Sequence, residues 1–278
     1  MAIDQESNIA RHYTTDNLIE RITTALKSSG KDPEKITGED LKGVDEFHTG
    51  GVQATEDLLA QLTISNATRV LDIGCGIGGA ARHIAGSTGA VVAGFDLTPD
   101  YIKTAKTLSE MVGMSSQTRF QVGSALDMPV EDSSFDLATM FHVGMNIADK
   151  RTLFSEAARV LIPSGTFALF DIMRTGSGDL TFPFPWAENS DWSFVDSADE
   201  YKVAATEAGF ELLSARNRRD FTLKFFASVF AAIEKSGAPP AVGIHLLMKE
   251  TAAQKLQNYV AEVKAERLAP FEMIFRKM

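Results

Sequence analysis

The sequence predicts an α/β protein: a doubly wound, mostly parallel sheet of seven strands, with helices in front of it and a helical insert ahead of the last strand. Three observations carry this prediction. Short apolar runs alternate with segments of helical period. Gly and Pro fall between those segments, with no internal repeat or low-complexity tract. The 278 residues, 44% hydrophobic and 23% charged, are enough for one large core and exclude a disordered or fibrous chain.

The elements follow in order. Helical patterns near Asp16 to Lys27 and Val52 to Leu62 make residues 1–65 an N-terminal helical lid. Arg69-Val70-Leu71-Asp72-Ile73 is a strand that closes on a glycine cluster, and Ala80 to Ala85 begins the helix after it. Ala90 to Phe95 is a second strand ending at Asp96, and Tyr101 to Val112 a helix entered through Pro99-Asp100. Thr118 to Val122 and Phe135 to Phe141 are the third and fourth strands, the latter preceded by the turn Glu131-Asp132-Ser133-Ser134. Lys150 to Leu161 has helical period, Pro163-Ser164-Gly165 ends it, and Thr166 to Asp171 is the fifth strand. Asp199 to Ala208, closed by Gly209, is a helix, followed by strand Phe210 to Ala215; Pro270 to Arg276 is the last strand. Between these two strands, residues at about 220–269 form an insert. Phe221, Phe225, Phe226, Val229, Phe230 and Ile233 sit at helical spacing there, and Thr251 to Leu268 is a second helix, so the insert is expected to be a flap over the carboxyl edge of the sheet. Such an aromatic stripe also serves plain core packing. Residues 66–278 are thus one Rossmann-like domain carrying this flap.

Charge and composition exclude several functions. A net charge of -10 and a pI near 5.0 leave no broad basic footprint for nucleic acid. No apolar run approaches the roughly 18 residues that cross a bilayer. Met1-Ala2-Ile3-Asp4-Gln5-Glu6 is acidic where a secretory leader is basic and then apolar, so the expectation is a soluble, cytoplasmic protein that binds no membrane. The single cysteine, Cys75, forms no intramolecular disulfide and no cysteine zinc site. No metal-ligand spacing is present, and oligomeric state is left open.

Gly74-Cys75-Gly76-Ile77-Gly78-Gly79 satisfies G-x-G-x-x-G, with Asp96 at the next strand end where a ribose partner stands. Asp72, two residues before Gly74, changes the reading. An anion at that strand tip repels a pyrophosphate and suits a cationic amino group, so the ligand carries a positive end and a ribose without bridging phosphates. Val70 to Gly79 accordingly resembles motif I of the class I S-adenosylmethionine-dependent methyltransferases. The resemblance implies that Asp96 takes both ribose hydroxyls, that Leu97 packs on adenine, and that Gly123-Ser124-Ala125-Leu126-Asp127-Met128-Pro129 holds the adenine edge. Phe135-Asp136-Leu137 is similar to the family's entry to strand four, and Ala157 to Gly165 to its R-V-L-x-P-G-G turn. Many relatives have Asp where Ser124 stands, so a hydroxyl or backbone contact replaces a carboxylate one. The implied cofactor is S-adenosyl-L-methionine, with S-adenosyl-L-homocysteine as product. Val44 to Gln53 and Phe271 to Lys277 further resemble the sarcosine and dimethylglycine N-methyltransferases, which implies the nitrogen of a small amine or amino acid as acceptor.

Methyl transfer from a sulfonium is an in-line displacement, so the protein aligns the reactants and keeps the acceptor's lone pair free. A neutral histidine suits that task. His142, directly after the fourth strand, is the leading catalytic or substrate-positioning candidate, and Asn146 shares its pocket; Phe141 belongs to the cofactor side. Tyr13 and Gln53 are candidates for a lid over the sulfonium, as is the segment carrying His48, Gly50 and Gly51. His83 and His245 read as packed or exposed. Arg174 is either a partner for a substrate carboxylate or a solvated loop residue. Phe182 to Ala187 and Trp192 supply an aromatic wall or pack the flap, and Arg216, Arg218 and Arg219 read as a solvated basic face. Three functions compete: methylation of a small molecule at N, O or S; a nicotinamide oxidoreductase, which Asp72 argues against; and a non-catalytic module that binds S-adenosylmethionine.

Overall fold

The computed structural model describes residues 2–14, 17–248 and 251–278, with side chains from residue 5 onward. Seven strands form one sheet in the order β3-β2-β1-β4-β5-β7-β6: β1 (Arg69–Ile73), β2 (Val91–Asp96), β3 (Thr118–Val122), β4 (Phe135–Phe141), β5 (Leu161–Arg174), β6 (Phe210–Asn217) and β7 (Leu268–Lys277). Pairing is parallel from β3 across to β5, and β7 runs antiparallel to both its neighbours. Strand order reverses between β1 and β4, which opens a crevice at their carboxyl ends.

Alternation along the strands builds two cores. Leu71 and Ile73 pack on one face with Phe154, Phe167 and Tyr201, while Val70 packs on the other with Ile84, Val92 and Phe170. The flanking helices are α4 (Val52–Leu59), α5 (Gly79–Thr88), α6 (Pro99–Met111), α7 (Lys150–Val160) and α8 (Ala198–Glu207). Their starts are written locally. Asp149 accepts the Thr152 N–H at 2.9 Å, Ser197 and Glu200 form a reciprocal capping box, and Pro99 sits in the first turn of α6.

Several boundaries differ from the sequence prediction. β5 begins ten residues before Asp171, at Leu161, because Pro163-Ser164-Gly165 is a bulge within the strand: Phe135 pairs Leu161, Leu137 pairs Thr166, and Ser164 takes φ 64°. Two helices, α1 (Ala2–Tyr13) and α3 (Gly38–Asp45), join α2 (Leu18–Ser28) and α4 ahead of the sheet; the Asp16 end of the first expected helix lies outside the described residues. α4 ends at Leu59, three residues before the expected Leu62. The insert holds α9 (Arg219–Ser236), the short α10 (His245–Met248) and α11 (Ala252–Lys264). No helix among the described residues is long and apolar enough to cross a membrane.

The basic trio is not a solvated face. Arg216 and Arg218 both engage Glu272, whose side chain is 1% exposed, and Arg218 also pairs Asp57 on α4. Arg219 donates to the carbonyls of Val263 and Lys264, tying α9 to the end of α11. The sequence showed three cations within four residues but not Glu272 of β7 and Asp57 of α4, which meet Arg216 and Arg218.

Candidate active site

β1 delivers the chain into the crevice and two glycines turn it. Gly74 has φ 67°, and a methyl group there would fall 2.4 Å from the Val143 side chain, so the loop passes against the turn after β4. Gly76 has φ 53° and faces open space. Asp96, at the end of β2, accepts the Gly76 N–H at 3.0 Å and the Thr98 N–H at 2.8 Å. Two backbone donors thus fix this carboxylate at the rim while leaving lone pairs for a ligand; burial still raises its pKa, against those donors. Asp72 accepts from the Thr139 hydroxyl at 3.0 Å through Oδ1, whereas its buried Oδ2 has no partner among the described residues. Burial pushes this carboxyl up to about 7, with Thr139 opposing and the neighbouring Glu46 adding to the rise.

These groups border a cavity of about 940 Å³ over the ends of β1 and β4. Small-molecule sites run to about 1,000 Å³, so this one has room for two ligands side by side. On the β1–β2 side the wall contains Asp72, Gly74, Gly76, Asp96 and Leu97, followed by Ala125 and Leu126 after β3. Phe141, His142 and Asn146 also line it, and Tyr13 and Gln53 reach it from α1 and α4. The insert contributes an apolar share of the wall: Phe225, Phe226, Val229 and Ile233 of α9, with Leu256 and Tyr259 of α11.

Ser124 departs from the expectation. It stands outside this wall, and its hydroxyl is engaged by Glu6 of α1 and by the Leu126 N–H. The polar side chain at that edge of the cavity is therefore Glu6, 118 residues away in sequence, where no local pattern reveals it.

His142 has φ 53°, uncommon for a residue with a side chain, and its N–H donates to the Phe170 carbonyl at 2.8 Å. Its buried Nε2 has no partner among the described residues; burial, then the nearby His48, holds the ring neutral. Asn146 has both ends of its amide occupied: it accepts from the Tyr13 hydroxyl at 2.8 Å and donates to the Trp186 carbonyl at 3.0 Å. It therefore joins α1 to the turn after β4. Gln53 donates to Asp57 at 2.9 Å along its own helix. Arg174 lies outside the cavity wall, with Nη2 on the Gly178 carbonyl and its buried Nη1 without a partner among the described residues. Trp186 is fully packed against Phe184, with rings 4.6 Å apart and parallel, and lines the cavity edge.

Sequence reasoning passed over Glu46 and Tyr101. Glu46 Oε2 lies 2.6 Å from His48 Nε2, and its Oε1, like the Tyr101 hydroxyl, is buried without a partner among the described residues. The available signal was the spacing Glu46-Phe47-His48, an acid two residues ahead of a histidine outside any strand. Among the described residues no group of side chains is suited to hold a metal.

The arrangement fits S-adenosylmethionine by its own chemistry. Asp96 offers a fixed carboxylate to ribose hydroxyls, the unpartnered Asp72 oxygen suits an ammonium, and the space beside Gly76 admits the ligand. Comparisons agree. The methyltransferase-domain family matches residues 71–169. Methyltransferase GfsG of Streptomyces halstedii is 29% identical over 63% of this chain and 64% of its own, and tocopherol O-methyltransferase of Arabidopsis thaliana 39% identical over 44% and 35%. The chain thus spans less than two thirds of the length of either relative. A structure described as a sarcosine dimethylglycine methyltransferase of Galdieria sulphuraria superposes with TM-score 0.67 at 21% identity, covering 93% of this chain and 98% of that one. From β1 into β5, then, residues 71–169 match the methyltransferase-domain family, and the site they build has the features of the class I, S-adenosylmethionine-dependent kind.

Proposed function

We propose that the protein transfers a methyl group from S-adenosylmethionine to an apolar small molecule held under the helical insert. The observation that carries this reading is a single cavity whose wall holds both Asp72, Gly76 and Asp96 and the aromatic face of α9. Residues 1–65 act as the lid on the cofactor side and the insert between β6 and β7 as the flap on the acceptor side. His142 and Phe141 belong to the same wall.

The chain ends resemble enzymes acting on sarcosine and dimethylglycine, whose carboxylates call for a fixed cation. Among the described wall residues Lys42 is the one lysine or arginine, and it lies 2.6 Å from Glu39. That chemistry favours an acceptor without a carboxylate, and relatives that include N- and O-methyltransferases support small-molecule methylation without choosing the atom.

Calorimetric titration with S-adenosylhomocysteine, followed by methyl-transfer assays over amines, phenols and thiols of increasing alkyl length and over glycine, sarcosine and dimethylglycine, tests this. Tight binding is expected, with kcat/KM rising roughly fourfold per added methylene, the equivalent of about 0.8 kcal/mol per buried CH₂. Turnover confined to sarcosine or dimethylglycine overturns the apolar acceptor. Binding of NADH in place of S-adenosylhomocysteine overturns the cofactor, and cofactor binding without turnover of any acceptor supports the non-catalytic module.

A further inference from the structure

We propose that His48, held by Glu46, is the catalytic base that takes a proton from the acceptor during methyl transfer, which makes the acceptor one that carries O–H or N–H at the reacting atom. This rests on the methyl-transfer reading above and adds a residue and a substrate class to it.

The segment that leaves α3 brings both side chains to the cavity wall, Glu46 with 1% of its side chain exposed and His48 with 4%. Glu46 Oε2 meets His48 Nε2 at 2.6 Å and also accepts from the Thr55 hydroxyl at 3.0 Å. Burial alone would raise the Glu46 pKa; the His48 contact and Thr55 reverse this and leave it below the ordinary value, so the group is an anion. An anionic partner on Nε2 fixes the Nε2–H tautomer and leaves the lone pair on Nδ1. In that tautomer Nδ1 and its neighbour, the Thr49 carbonyl 3.4 Å away, are both acceptors, so no hydrogen bond occupies the lone pair. The ring cannot swing freely. It stacks on Phe141 at 5.0 Å with 20° between planes and meets Phe170 edge-on at 6.0 Å.

The choice between His48 and His142, whose rings are 5.8 Å apart, follows from their surroundings. A base must hold positive charge once it has the proton. His48 has a buried carboxylate in contact and the Thr49 carbonyl beyond Nδ1, so both nitrogens of an imidazolium find acceptors. His142 has no partner for its Nε2 among the described residues and repels charge on His48, so it serves as a neutral hydrogen-bonding group. In the step proposed, the acceptor's lone pair forms the bond to the methyl carbon as the carbon–sulfur bond breaks. The sulfonium becomes a neutral thioether and the acceptor's proton passes to His48 Nδ1, its charge facing Glu46. Glu46, Asp72 and His142 feel the charge on His48 directly, His83 acts on Glu46, and Asp96 and Tyr259 line the same cavity.

The same contacts would also exist if Glu46 and His48 merely pinned the loop to α4, so the test separates the two. His48→Gln retains an amide able to meet Glu46. With 4-propylphenol, which ionises only in alkaline solution, the variant is expected to lose on the order of 10²-fold or more in kcat. With pentafluorophenol, already ionised at neutral pH, the expected loss is within a few-fold, and S-adenosylhomocysteine affinity is unchanged. Equal losses on both phenols, or none on either, overturn the proposal. Nitrogen-15 spectra of histidine-labelled protein saturated with S-adenosylhomocysteine need no acceptor. They are expected to show His48 as the Nε2–H tautomer, and an Nδ1–H tautomer overturns the proposal. Failure to bind S-adenosylhomocysteine would instead remove the cofactor reading beneath it.

Discussion

The phenol of Tyr13 donates to the side-chain oxygen of Asn146 across 2.8 Å and 133 residues, joining α1 to the turn that follows β4. With Glu6 on Ser124 two turns earlier along the helix, this makes α1 part of the cavity wall. Burial raises the Tyr13 pKa, with Asp96 and Asp171 adding to the rise, so the phenol stays a donor throughout the accessible pH range. Tyr13→Phe keeps the ring and removes that donor, leaving the Asn146 oxygen without it. Thermal and chemical melts are expected to show a loss of about 1–3 kcal/mol. Calorimetry should show weaker S-adenosylhomocysteine binding, because the helix then closes less completely. Unchanged affinity would separate α1 from the cofactor site.

Asp96 and the two loop glycines predict three different failures. Asp96→Ala frees the Gly76 and Thr98 amides and removes the charged acceptor at the rim; more than a tenfold loss of S-adenosylhomocysteine affinity is expected in a folded protein. Gly76→Ala places a methyl group in the open space beside the loop, so binding should fail with only about 1 kcal/mol lost in stability. Gly74→Ala forces a methyl group against Val143, so stability and binding should fall together. Melting each variant with and without S-adenosylhomocysteine distinguishes them.

Asp72 links the site to pH. In the folded chain its proton is held up to about 7, against an ordinary value of 3.8, so between these values the folded state binds more protons than the unfolded one. The unliganded protein therefore loses stability as pH rises through that window. Asp45 and Asp171, both raised to about 6 by burial, act in the same direction. An ammonium beside Oδ2 favours the ionised carboxyl, so binding below about pH 7 expels a proton, and affinity should fall by up to tenfold per unit as pH drops. Titrations in two buffers of different ionisation enthalpy count that proton. Asp72→Asn should abolish its release; persistence of release in this variant would assign it elsewhere.

The sheet was legible because its strands are apolar runs set between segments of helical period, with Gly74 or Gly123 after β1 and β3 and Asp96 closing β2, and Arg69–Ile73, Thr118–Val122 and Phe135–Phe141 match the sequence reading residue for residue. The glycine loop and Asp96 were legible because spacing alone carries their chemistry. What stayed hidden depends on contacts between distant segments. Glu6 reaches Ser124 only once α1 has folded against the loop after β3, and Glu46 becomes His48's partner only when the end of α3 packs beside α4. α3 itself is eight residues with a Thr37–Asp40 capping box, too short for periodicity to reveal.

The ladder between β6 and β7 holds two cross-strand ion pairs of the same chemistry, Arg216 opposite Glu272 and Glu211 opposite Arg276. Their surroundings differ. Glu272 is 1% exposed and takes Arg216, Arg218 and the Gln61 amide, whereas Glu211 and Arg276 are 48% and 50% exposed and have each other. Glu272→Ala strands the mostly buried Arg218 guanidinium with Asp57 alone, and a loss of about 3–5 kcal/mol is expected in urea melts. Glu211→Ala breaks a solvent-screened pair, and its expected loss is below about 1 kcal/mol. Both variants should bind S-adenosylhomocysteine normally, since neither glutamate lines the cavity. Equal losses would mean that burial does not set the strength of this ladder, and a weakened cofactor affinity in Glu272→Ala would show that α4 transmits the network's state to Gln53 and the lid.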